Sequence, residues 1–300
     1  MTDAYDLIAG PGRLRLYKLN TGWKRDRRVE VRDPSSTLLA RSRFPADGDV
    51  LDIEGLPDDR ECAVYIRHGN PLKRLIARPE ILRATPAPRR LRALISGSGR
   101  CGTVSLARYL DGLRYRDGAD CAARHETLWE HILPLLAAGD RAAVGAFIAG
   151  FVHHIEAAPH FSLVPELIAA DRVVHLIRDG RRVVQSGLNR GWYRKDTPWN
   201  SIKPDFPGDP FAQCCRFWDH TNRNMAGVAQ ITVRLEDLAA SAEALAGLVE
   251  ALDLAPTDKP FPLANTGKQA STFGHWSDGE REVFAEICGE TMDAYYPGWR

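Results

Sequence analysis

The stretch "LRALISGSGRCGTVSLARYL" (91–110) decides how the rest of the chain is read. It runs from an apolar strand through a glycine-rich turn into a helical pattern. Gly97 and Gly102 have the G-x-x-x-x-G spacing whose backbone amides wrap an anion, while the following helix presents unpaired N–H groups and its positive dipole end. A nucleotide triphosphatase would continue with Lys and then Ser or Thr, to reach terminal phosphates and hold magnesium. Here Thr103 and Val104 follow Gly102, and the basic side chain, Arg100, lies inside the loop.

Working outward, the chain from residue 91 alternates apolar strands with helical patterns: "RVVHLI", "RRVVQSGLN", "ITVRLEDL". Strands buried on both faces read as continuous apolar runs, so the expectation is an α/β domain with a mostly parallel sheet and flanking helices over 89–300. "AAVGAFIAGFV" (142–152) is too short to span a membrane and reads as a core element. Ser277 with Glu280 forms a capping box that opens a closing amphipathic helix.

Upstream, period-two patterns such as Leu14/Leu16 and Val29/Val31, broken by "DPSS", "ADGD" and "LPDD", predict short antiparallel strands. Residues 1–88 therefore read as a small β-rich domain, with "ATPAPRR" (84–90) as linker. Lys and Arg exceed Asp and Glu in this part, and the remainder is mildly acidic. The formal net charge is +1, which gives no reason to expect a nucleic-acid partner. Six cysteines without framework spacing fit reduced thiols. With no secretory pattern at the N-terminus, the expected location is cytoplasmic. The sequence names no partner for the N-terminal domain.

Two motifs carry a resemblance. "SGSGRCGTVSL" resembles the 5′-phosphosulfate loop of the sulfotransferases. "VVHLIRDGRRVVQS" is similar to the same family's 3′-phosphate motif, a strand ending in Arg with Ser eight residues on, here Arg178 and Ser186. "ITVRLEDL" and "NTGKQASTFGHW" are weaker matches, so the resemblance covers roughly 91–300. It implies a P-loop-like α/β fold and a sulfotransferase that moves a sulfuryl group from 3′-phosphoadenosine 5′-phosphosulfate to a hydroxyl or amine of a small-molecule or glycan acceptor, with no metal. The donor site it implies comprises Gly97, Ser98, Gly99, Arg100, Cys101, Gly102, Thr103, Val104, Ser105, Arg178 and Ser186, with Lys268 as a further cation. Cys101 and Val104 stand where the family places hydroxyls. Arg181 and Arg182 read as surface charges beside the cleft.

Sulfuryl transfer relies on positioning and charge stabilisation, so Arg100 is expected to meet charge growing on the leaving phosphate. A hydroxyl acceptor also needs a base. Glu126 and His154, the latter paired in sequence with His153, are the two candidates. Cys121, His125, Glu126 and His131 lack the tight ligand pairing of a zinc site. Glu236 and Asp237 read as helix-capping groups. The long loop "RGWYRKDTPWNSIKPDFPGDPF" (190–211), with Trp192, Tyr193 and Trp199, is the expected acceptor wall. A P-loop kinase and a non-catalytic nucleotide-binding or interaction protein are the alternatives.

Overall fold

The computed structural model describes residues 5–19, 26–45, 48–68, 80–84, 90–262 and 275–300. The chain divides into two compact units. One comprises 1–90 with 146–152, the other 91–145 with 153–300. The inclusion of 146–152 in the first unit has no signal in the sequence.

The first unit is built from two antiparallel sheets. β1 (Tyr5–Gly10), β2 (Arg13–Lys18) and β5 (Val50–Ile53) pair in the order β1-β2-β5. β3 (Arg27–Arg32), β4 (Leu38–Phe44), β6 (Cys62–His68) and β7 (Glu80–Ala84) pair in the order β4-β3-β6-β7. The predicted alternation holds: Leu14, Leu16, Val29 and Val31 are buried in one cluster with Leu7, Phe44 and Val64. Fully burying each such side chain contributes about 1.5–3 kcal/mol. The sequence 142–152 forms nearly all of a helix, Arg141–Gly150, followed by a buried Phe151, and the Phe147 ring packs against Tyr17 in a tilted arrangement with centroids 5.7 Å apart.

The second unit carries a five-stranded parallel sheet. β8 (Leu91–Ser96), β9 (Ala123–His125), β10 (Ile155–Ala157), β11 (Ala170–Ile177) and β12 (Ile231–Arg234) lie in the order β12-β11-β8-β10-β9. Helices cover both faces, as a sheet apolar on both sides requires. On one face α1 (Thr103–Leu110), α7 (Leu235–Ala240) and α8 (Ala242–Ala251) bury Leu106, Leu110, Leu238 and Leu248 against Ile95 and Leu176. On the other, α4 (Gly180–Asn189), α6 (Pro210–Ala226) and α9 (Asp278–Tyr295) gather Val183, Val184, Trp218, Phe284 and Met292 around Ile177. The Ser277/Glu280 capping box is formed at the start of α9. The shorter helices are α2 (Trp129–Ala137), α3 (Arg141–Gly150) and α5 (Pro198–Ser201).

This strand order positions the site. From β8 the chain crosses to β9 on one side of the sheet, and from β11 it crosses to β12 on the other. The crevice beyond the carboxyl ends of β8 and β11 is thus the point where the connections diverge, where open α/β sheets bind ligands. The two tips touch. A Cβ on Gly97 would stand 2.2 Å from the carbonyl oxygen of Leu176, so only glycine lets the β8 turn pass β11.

All six cysteines are buried free thiols. Among the described residues, no helix is long and apolar enough to cross a membrane.

Candidate functional site

The loop after β8 is shaped by backbone torsions. Gly99, Arg100 and Gly102 have φ of 75°, 54° and 102°. Left-handed residues within a turn direct successive N–H groups to one side, the arrangement of an anion nest. Gly102 is the N-cap of α1 and supplies no capping side chain, so the first-turn amides of the helix open into the loop. A Cβ at Gly102 would also meet the Leu235 side chain at 2.5 Å.

The loop after β11 closes on this one. Arg178 Nη1 donates to the carbonyl oxygen of Arg100 at 2.9 Å, and Arg100 Nε donates to Ser186 Oγ at 3.1 Å. Trp218 Nε1 donates to the Arg178 carbonyl at 3.2 Å, fixing the turn from below. Glu236 accepts from the Asp179 amide and from the Tyr296 hydroxyl, and Asp237 pairs with Arg234. Both acids therefore order loops, although neither caps a helix with its side chain. Burial lowers the pKa of Arg178, with Glu236 opposing. Burial likewise lowers that of Arg100, helped by the neighbouring charges of Arg190 and Arg178. A guanidinium stays charged regardless, so two cations are held close together in a half-buried site. An anionic ligand is the natural counter-charge.

These groups face one cavity of about 690 Å³. Of the expected donor-site residues, Ser98, Gly99, Arg100, Gly102, Thr103, Val104, Ser105 and Arg178 line it. Gly97 is turned against β11, and Cys101 is fully buried in the core, where desolvation pushes its thiol up to about 11. Ser186 is not a lining residue and instead accepts the hydrogen bond from Arg100. Lys268 and most of "NTGKQASTFGHW" lie outside the described residues, as do residues 85–89 of the linker stretch. Arg181, expected at the surface, forms a fork on Asp179 and donates to the Trp299 carbonyl. Arg182, read as a surface charge, lines the cavity together with Arg190 and Lys203. The sequence sets Arg182 beside the cleft and Arg190 and Lys203 within the expected acceptor wall, but singles out none of the three. Burial pulls Lys203 down to about 8, and its Nζ is held by the Trp199 carbonyl and Asn200 Oδ1, each at 2.8 Å. Among the described residues, five cationic side chains thus face one carboxylate, Glu126.

Glu126 follows the tip of β9 in a left-handed conformation, φ 52°. Its carboxyl is raised to about 7, first by burial and then by the charge of Glu156, with Arg100 opposing. His125 beside it has Nε2 3.5 Å from Glu126 Oε1 and 3.0 Å from Thr103 Oγ1, tying the glutamate to the first residue of α1. His154 is placed differently. It precedes β10, at the amino end of the strand, where its Nδ1 accepts from the Ala122 amide and its ring meets Tyr115 edge-on; it is not a lining residue. The physical reason is polarity of the sheet: only residues following a strand reach the carboxyl edge. His153 is buried against Glu156 at 2.7 Å. Burial alone would raise the Glu156 carboxyl, but hydrogen bonds from His153 and Thr127 outweigh it and hold the group below its ordinary value.

One histidine that the sequence reading missed does line the cavity. His160 follows β10 in a short 3₁₀ turn, Pro159–Leu163. It is 1% exposed, neither ring nitrogen has a hydrogen-bond partner, and burial lowers its pKa to about 4. "AAPHF" carries no periodicity to mark it. Its register, three residues past the tip of a parallel strand, is the signal that would have found it. From the 190–211 loop, Trp192 and Trp199 line the cavity, Trp199 stacking on Trp129 at 5.7 Å. Tyr193 instead donates to the Pro204 carbonyl. Among the described residues no three His, Cys, Asp or Glu side chains are grouped to hold a metal ion.

No family model matches the chain, and no curated protein is similar to it. Solved structures with a measurable likeness include the fn3 domain of human collagen alpha-1(XX) chain, at 12% identity and TM-score 0.23, covering 29% of this chain and 82% of that one. A β-glucuronidase from Ruminococcus gnavus in complex with D-glucuronic acid is similar at 10% identity and TM-score 0.25, over 76% of this chain and 40% of that one. The β-D-glucuronidase from Dictyoglomus thermophilum is similar at 11% identity and TM-score 0.26, over 77% and 44%. At such scores none of these likenesses bears on the fold or the chemistry of this chain.

Proposed function

We propose that the chain is a sulfotransferase of P-loop-like fold that uses 3′-phosphoadenosine 5′-phosphosulfate as donor. The observation that carries the reading is the contact between the two strand-tip loops, Arg178 Nη1 to the Arg100 carbonyl at 2.9 Å, on the wall of a single cationic cavity. A bisphosphate nucleotide has two anionic ends, and two strand-tip loops that each bring an arginine to one cavity suit it. The strand order, with the β8 tip central and its neighbours diverging, supports the fold assignment.

When bound, the donor supplies a sulfuryl group on its 5′-phosphate. The S–O bond to that phosphate breaks as an S–O bond to the acceptor forms. Amides of 97–103 and Arg100 hold the phosphate on which charge grows, a contribution on the order of 3 kcal/mol by analogy with oxyanion donors. Arg178 holds the 3′-phosphate. Glu126, near 7, is poised to accept the acceptor's proton at neutral pH. His160, neutral and without a hydrogen-bond partner, is a further proton acceptor facing the cavity, as is His125, which burial also holds neutral. Trp192 and Trp199 supply flat apolar surface for the acceptor.

Calorimetry with adenosine 3′,5′-bisphosphate and, separately, ATP with magnesium tests the reading, followed by labelled donor over carbohydrate and phenol acceptors. The bisphosphate is expected to bind and ATP with magnesium to bind at least about tenfold more weakly. Arg178→Ala should weaken bisphosphate affinity, and Arg100→Ala should mainly lower turnover. ATP–magnesium binding alone would place the chain with kinases. Bisphosphate binding with no transfer to any acceptor would make it a binding module.

A further inference from the structure

The basic excess of the N-terminal part is not spread evenly. β3 alternates Arg28, Glu30 and Arg32 on the face opposite the core, and the register sets Arg43 and Arg67 directly across from Arg28 on either side. Three arginines therefore lie in one row across three adjacent strands. Like charges directly opposite destabilise a sheet, and a buried carboxylate, Glu30, lies against two of the three, Arg28 and Arg67. Glu30 is 3.0 Å from Arg28, 3.1 Å from Arg32, 3.6 Å from Arg41 and 3.8 Å from Arg67. Arg83, beyond Ala63 in the same register, adds a sixth cation on β7.

The remaining acids nearby do not cancel this. Arg43 pairs with Asp26, and Arg83 with Glu61 at 3.0 Å, leaving six cations against three carboxylates among the described residues. Four guanidinium groups around Glu30 offer about five N–H donors each, and one carboxylate accepts at about four sites. Nε of Arg28 and of Arg67 is buried without a hydrogen bond, that of Arg67 standing 3.8 Å from Glu30. Arg41, Arg43 and Arg83 keep 55, 76 and 62% of their side-chain surface exposed. The patch covers four strands and about 13 Å along β3.

We infer that this face of the β4-β3-β6-β7 sheet is a docking surface for a linear polyanionic glycan bearing sulfate or carboxylate groups. Charge complementarity is one argument, since arginine forks match such groups in pairs. The lack of a stacking platform is the other. Among the described residues the aromatic on this face is Tyr65, and the Arg67 guanidinium lies over its ring at 5.7 Å. Single-stranded nucleic acid is bound largely by stacking on open aromatic faces. The inference is independent of the catalytic reading, because the surface is defined within the first unit.

The test is binding of the full chain to heparin and to single-stranded and duplex DNA of matched charge, without donor. Wild type should bind heparin more tightly than either DNA. Arg28→Ser with Arg43→Ser and Arg67→Ser should weaken heparin binding by about tenfold or more and flatten its salt dependence. Replacing exposed Arg114, Arg116 and Arg281 by Ser, an equal loss of charge in the second unit, should leave it within about twofold. If circular dichroism shows the row variant unfolded, Arg41→Ser with Arg43→Ser and Arg83→Ser serves instead, since these side chains are exposed. Equal weakening by both sets of variants, no heparin binding at low salt, or tighter binding to DNA would overturn the proposal.

Discussion

Replacing Gly97 by alanine asks whether the β8 and β11 tips meet as described. The added methyl would lie 2.2 Å from the Leu176 carbonyl oxygen and 3.0 Å from Cys101 Sγ. Neither can yield cheaply, because the first is strand backbone and the second is fully buried. Overpacking of this kind costs about 2 kcal/mol, which for a unit of this size is a Tm fall of about 4–8 °C. The strain falls on the residue two before Arg178, so adenosine bisphosphate affinity should fall with it. Gly247→Ala is the matched control. It lies within α8 with open space around its Cβ position, and should raise stability by about 1 kcal/mol. Differential scanning calorimetry and titration calorimetry read both. A Gly97→Ala protein with Tm within about 1 °C of wild type and unchanged bisphosphate affinity would refute the juxtaposition.

The Glu126 carboxyl is raised in the folded state from 4.5 to about 7, so the native protein binds more protons than the unfolded chain between those values and stability falls as pH rises through that window. Glu126→Gln should remove this slope and add up to about 3 kcal/mol at pH 8 in urea titrations, while lowering turnover. His160 titrates in the opposite sense. Its folded value of about 4 lies below the ordinary 6.5, so stability is lost as pH falls between them, and His160→Phe should flatten that acid limb of the stability profile. Lys259 Nζ donates to the carbonyls of Arg108, Tyr109 and Asp111 at the end of α1. Lys259→Met should lower stability by about 1 kcal/mol in urea denaturation, without a change in bisphosphate affinity beyond about twofold.

The strand-turn-helix at 91–110 was legible because its determinants are local: an apolar run, glycines at turn torsions and helical spacing after them. The alternation of Leu14/Leu16 and Val29/Val31 was legible for the same reason. What escaped was set by long-range register. His154 and His160 are six residues apart on either side of β10, and only the direction of that strand decides which one faces the cavity. Arg182 and Arg190 lie on and just beyond a helix whose rotation is fixed by Val183 and Val184 packing on the sheet, a contact that periodicity suggests but does not aim. Cys101, which reads as a lost hydroxyl contact, has its side chain in the core, leaving the backbone to face the ligand.

A crystal structure with adenosine 3′,5′-bisphosphate tests the central claim most directly. One nucleotide should span both loops, its 5′-phosphate on the amides of 97–103 and its 3′-phosphate on Arg178. A nucleotide engaging only one loop, or seated outside the cavity, would contradict it.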